Sequence, residues 1–108
     1  MGGMSEQQNL VMQLRERFPD DAYKTDQWLL ERGFDQDDLL EVTYAWMEAF
    51  ADRTTDAIKR RDTQVIKLHT DFISFCYLAG TDTIKELIDV GYSENLMWDI
   101  GTEEKVWA

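Results

Sequence analysis

Apolar residues recur along the chain with the three- and four-residue spacing of helices, and no alternating stretch longer than four residues competes with it. Leu10, Val11, Leu14 and Phe18 form a stripe on a first helix over Glu6–Phe18. Pro19 ends that helix, because the residue before a proline is pushed out of the helical region. A second helix over Asp21–Arg32 is expected to bury Tyr23 and part of Trp28-Leu29-Leu30, with Gly33 just past its end. A third is expected from a cap at Asp35. At about 100° per residue, Leu39, Thr43, Trp46, Met47, Phe50, Ala57 and Ile58 share one side of it. This helix either breaks near Thr54-Thr55 or continues to Arg61. Asp62 or Thr63 caps a fourth, which carries Val65, Ile66, His69, Phe72, Ile73 and Cys76 and closes at Gly80. Thr83-Ile84-Lys85-Glu86 has the capping-box pattern and opens a fifth helix, burying Ile84, Leu87 and Ile88 up to Gly91. Ser93 caps a short sixth with Leu96 and Met97, stopped at Gly101.

The fold class is therefore all-α, a single domain over residues 1–108 built as a bundle of five to six helices. Short connections favour antiparallel neighbours. Residues 1–5 are expected to be disordered or left over from cloning. Residues 102–108, with Val106 and Trp107, form a C-terminal tail able to dock on the bundle.

Charge changes the functional picture. With 22 acidic and 11 basic residues the formal net charge is −11, which opposes binding to nucleic acid or to an anionic lipid surface. The N-terminal residues lack the basic and apolar regions of a secretory signal, and no apolar run is long enough to span a bilayer, so a cytoplasmic location is expected. One cysteine allows neither an internal disulfide nor a cysteine-based zinc site.

The acids are also unevenly placed. Residues 20–56 hold 11 acids and 3 bases, whereas residues 57–81 hold 2 acids and 4 bases. On the expected third helix Asp37, Asp38, Glu41, Glu48 and Asp52 fall opposite the apolar stripe, with Tyr44 on their flank. No Lys or Arg stands four residues after Asp37, Asp38, Glu41 or Glu48 to compensate them. These six residues are the candidate surface for a basic protein partner. Trp28, Tyr92, Trp98 and Trp107 are secondary interface candidates. The plain alternative for the acidic face is a solvated helix surface.

Catalysis is not expected. His69 is the only histidine, and His69 and Cys76 both fall on the apolar side of their helix, as core residues. No nucleophile–base set or phosphate-binding loop is present. Asp38-x-x-Glu41 and Glu86-x-x-Asp89 resemble the Mg²⁺-binding carboxylates of MazG-type nucleotide pyrophosphohydrolases. The stretch between them is far longer than in that family, and Asp38 and Glu41 point away from the apolar stripe. No metal and no cofactor are expected.

The stretches Phe72–Gly80, Ile84–Asp89 and Tyr92–Leu96, with the opening Leu14-Arg15-Glu16-Arg17-Phe18-Pro19, resemble an uncharacterised family of small all-helical bacterial domains. Such acidic helical proteins are common among the immunity proteins of contact-dependent and type VI toxin systems. The resemblance implies an inhibitor that binds one cognate toxin, and it carries no functional residues across. A toxin acting on nucleic acid has a basic cleft, which an acidic face is suited to occlude. An acidic adaptor or regulatory domain that binds another protein is the alternative.

Overall fold

Helix boundaries in the computed structural model, which describes residues 4–96, sit on local signals. The first helix, α1, spans Glu6–Arg17. Ser5, expected to be disordered or left over from cloning, caps it: its hydroxyl accepts the Gln8 N–H, and the Gln8 side chain accepts the Ser5 N–H. One residue later α2 runs Pro19–Glu31 with proline in its first turn, where its missing N–H costs nothing. Gly33, at φ +97°, ends α2 in a Schellman turn. Its N–H bonds the Leu30 carbonyl, and the Phe34 N–H bonds that of Leu29.

The third helix departs from expectation. Gln36–Asp38 form only a 3₁₀ turn, and α3 begins at Thr43 and runs to Lys59. Asp37, Asp38 and Glu41 repel one another with no basic residue one turn away, and Val42-Thr43 are β-branched. That stretch is poor helix material, whereas 43–59 continues through Thr54-Thr55 without a break. Asp62 caps α4, Thr63–Ala79, by accepting the Val65 N–H. Thr81, not Thr83, caps α5, Asp82–Glu86.

α5 does not stop at Gly91 but widens into a π-helical segment, Leu87–Ser93. Ser93 therefore ends a segment rather than starting a helix, and Glu94–Leu96 form a turn. The remainder of the expected sixth helix, the tail at 102–108 and residues 1–3 lie outside the described residues.

α3 is the axis of the bundle. It packs against α1, α2, α4 and the π segment, and its buried residues, from Trp46 through Phe50 and Thr54 to Ile58, cover most of its circumference. Trp46 and Phe50 stack with rings 5.5 Å apart and 13° between planes. Tyr23 is not buried as expected but 64% exposed. The buried face of α2 is Ala22, Thr25 and Leu29, and Tyr23 lies about 100° round from Ala22. Among the described residues there is no strand, and no helix is long and apolar enough to cross a membrane.

Gly91 shows how closely the π segment approaches α3: a Cβ there would lie 2.9 Å from Cβ of Met47. Gly91→Ala is expected to lower stability by about 1–3 kcal/mol in a urea titration, because both contacting atoms belong to rigid parts of helices. Glu94→Ala, at an exposed position in the turn beyond, should change it by less than about 0.5 kcal/mol.

Candidate functional site

Two kinds of acid are separated by the structure. The first kind is structural. Asp26 on α2 accepts two hydrogen bonds from the Arg15 guanidinium on α1, and its Oδ1 also accepts the Trp46 indole N–H at 2.8 Å. One carboxylate thereby joins α1, α2 and α3. Asp21, also on α2, accepts the Nε2–H of His69 at 2.8 Å. An ionised carboxylate can only accept, so Nε2 carries the proton. The other ring nitrogen, Nδ1, lies 2.8 Å from Thr54 Oγ1, which lies 2.8 Å from the Tyr92 hydroxyl. His69 and Thr54 are completely buried. A polar chain thus links α2, α4, α3 and the π segment through the core.

The electrostatics of this chain follow from its geometry. The hydrogen bond from His69 holds the Asp21 carboxyl below its usual pKa, against the opposing effect of burial, and the charges of His69, Lys24 and Arg53 add to the lowering. Burial pushes the Tyr92 phenol up to about 12, opposed by its hydrogen bond with Thr54. Phe18 packs its ring edge against His69 at 4.7 Å, and Phe50 lies 5.0 Å away. His69 and Thr54 are shut off from solvent while Asp21 keeps 27% of its side chain exposed, and the chain fastens four elements together. Burial also raises the Cys76 thiol, with Arg17 acting in the opposite sense, so the thiolate is disfavoured.

The second kind of acid faces solvent. Asp35, Asp37, Asp38 and Glu41 are exposed in the connection between α2 and α3, and none forms an ion pair among the described residues. Glu48 is exposed on α3, whereas Asp52 is half-buried and held by neighbours. Because α3 starts late, the expected continuous acidic face is divided into a turn, Asp37–Glu41, and a helical part, Glu48 and Asp52. Tyr44 is half-buried and packs against the core rather than standing free at the flank. Trp28 also packs on the core, and the Arg32 guanidinium covers its ring at 3.5 Å. Tyr92, named as an interface candidate, is 3% exposed and belongs to the core. The reason is the π segment, which turns residue 92 toward α3. Trp98 and Trp107 lie outside the described residues.

The His69 fastener went unread in the sequence beyond the placement of His69 in the core. A signal was present: Thr54 stands eight residues after Trp46 and four after Phe50, on a mostly apolar face. A polar group there needs a buried partner. Asp38, Glu41, Glu86 and Asp89 do not converge, and no three metal-ligating side chains do so among the described residues.

The family match runs from the first turns of α1 to the last residue and takes in both the polar chain and the acidic turn. The chain belongs to the DUF7674 family. The match covers residues 11–108, and the family is described as a domain of unknown function. No curated protein and no solved structure matches the chain.

Two pH limits follow from the polar chain. The folded-state pKa of Asp21 is depressed, so its stabilisation is present above the ordinary carboxylate range and is lost as pH falls through the folded value. Asp21→Asn should therefore lower stability at neutral pH and flatten the acid limb of a stability–pH curve. Tyr92 is the opposite case: its contribution is complete below about pH 10 and is lost as pH rises toward about 12. In a tyrosinate absorbance titration one of the 4 tyrosines should ionise together with alkaline unfolding. A normal titration for all of them would contradict the buried placement.

Proposed function

We propose that this protein is a binding protein whose partner is basic, and specifically an immunity protein that neutralises a cognate bacterial toxin by covering a basic cleft. The observation that carries the reading is the exposed turn Asp35–Glu41, four carboxylates within seven residues, none in an ion pair among the described residues. Asp21 and Asp26, by contrast, are committed to the core. Unpaired acids of this density raise association with a positive surface and reject negative ones. Glu48 extends the surface along α3, and the committed acids hold the scaffold rigid behind it.

No hydrogen bond or ion pair of the described core uses these carboxylates. They sit ahead of α3, in a turn they help to keep out of helical form, so their removal should leave the bundle intact. Asp37→Lys, Asp38→Lys and Glu41→Lys together each add two units of charge, taking the formal net from −11 to −5. The test is to sequence the reading frames on either side of this gene and to co-express the protein with any that encodes a toxin domain. Wild type is expected to restore growth, and the triple variant to fail while its urea midpoint stays within about 0.5 kcal/mol of wild type. Protection that survives the triple variant would move the interface elsewhere. The absence of a neighbouring toxin frame would favour an adaptor instead.

A further inference from the structure

The fourth helix carries more apolar surface than the core uses. Its buried residues are His69, Phe72 and Ile73, yet Leu68 is 52% exposed and Phe75 66%. Leu68, Phe72, Phe75 and Ala79 follow one another at spacings of four, three and four residues. That is the a/d spacing of a coiled-coil seam, which a helix buries only against another helix. No described helix fills it. α1 runs beside α4 without extended contact, leaving a groove of three hollows of about 220–290 Å³ each. The hollows join: Arg17 and Leu68 line two of them, and Phe75 connects the second to the third. The groove thus runs the length of α4, about 25 Å at 1.5 Å per residue.

We propose that the α1–α4 groove docks one basic amphipathic helix of a partner protein. The spacing along α4 selects a helix as the occupant. The charges at the rim select its sign. Glu6 lies at one end and Asp20 at the other, neither in an ion pair among the described residues, and Asp71 stands between them, paired with Lys67. Arg17 is the one lysine or arginine among the described residues that line the groove; its guanidinium lies 4.4 Å over the Phe72 ring near the middle. The partner helix accordingly presents apolar residues every three to four positions, with lysine or arginine toward its two ends and none at its centre. At a net charge of −11 the rest of the surface favours the same sign of partner and opposes a second copy of this chain. The inference is independent of the acidic turn, which lies on the α2–α3 connection.

The test is fluorescence anisotropy with the full chain and a labelled peptide of about eighteen residues, built from Leu, Ala and Lys with the lysines near its ends. A peptide of identical composition, scrambled to lose its apolar face, is the comparison. The amphipathic peptide is expected to bind at least about tenfold more tightly than the scrambled one. Phe75→Ser and Leu68→Ser, both at exposed positions and therefore mild for the fold, should each weaken binding about tenfold. Asp37→Lys with Glu41→Lys should leave it within about twofold. Equal binding of the two peptides, or no effect of Phe75→Ser, would overturn the proposal. So would about tenfold tighter binding by Trp98→Ser with Trp107→Ser, which would make the chain's own C-terminal segment the occupant. A dimer in sedimentation equilibrium that Phe75→Ser dissolves would assign the groove to a second copy and equally overturn it.

Discussion

The fold depends most on one buried imidazole. His69 stands on α4, reaches Asp21 on α2 with one nitrogen and Thr54 on α3 with the other, and Thr54 passes the connection to Tyr92 on the π segment. Nε2 donates to Asp21, and Nδ1, Thr54 Oγ1 and the Tyr92 hydroxyl stand 2.8 Å apart in succession, so each polar atom in the chain has a partner. Removing the Thr54 hydroxyl leaves both Nδ1 of His69 and the Tyr92 hydroxyl without their buried partner, at a cost of about 1–3 kcal/mol. The apolar packing of Trp46, Phe50, Leu14 and Leu29 supplies the bulk of the burial. Such packing is non-directional, whereas the polar chain tolerates few alternative arrangements of four elements. Asp26 repeats the device on the other side of α3, with Arg15 and Trp46.

This explains why so acidic a protein divides its charges. Two aspartates of α2 serve the interior and are held by a histidine, an arginine and an indole. Among the described residues the carboxylates of the α2–α3 connection form no ion pair, and their mutual repulsion disfavours a helix over Asp37–Glu41. Their arrangement is the surface on which the proposed recognition of a basic partner rests. The exposed seam on α4 is a second unfilled surface of different chemistry, apolar along its floor and mostly acidic at its rim.

Much of this architecture is legible in the chain. Gly33 and Asp62 mark helix ends in the expected positions, because a left-handed residue and a side-chain cap are local requirements. Trp46, Met47 and Phe50 fall on the buried side of α3, because a long apolar stripe sets its own phase. What escaped depended on non-local facts. Periodicity cannot distinguish Tyr23 from its neighbour Ala22, and only the packing of α2 on α3 shows which is buried. The π segment brings Gly91 against Met47 and turns Tyr92 inward, out of the set of interface candidates. The acidic stripe was legible as composition but not as shape, since it assumed an unbroken helix from Asp35. Asp21 and Thr54 are far apart in sequence, and nothing local to either residue announces His69 between them.

The double-mutant cycle of Thr54→Val and Tyr92→Phe addresses the role of the polar chain directly. Each substitution keeps the shape of the side chain and removes one hydroxyl, and urea unfolding at neutral pH gives the four stabilities required. If the chain acts as a unit, the two losses are strongly non-additive, with a coupling of about 1 kcal/mol or more. Losses that add to within about 0.3 kcal/mol would show that the hydroxyls act separately, and that apolar packing alone holds the π segment and α4 on α3.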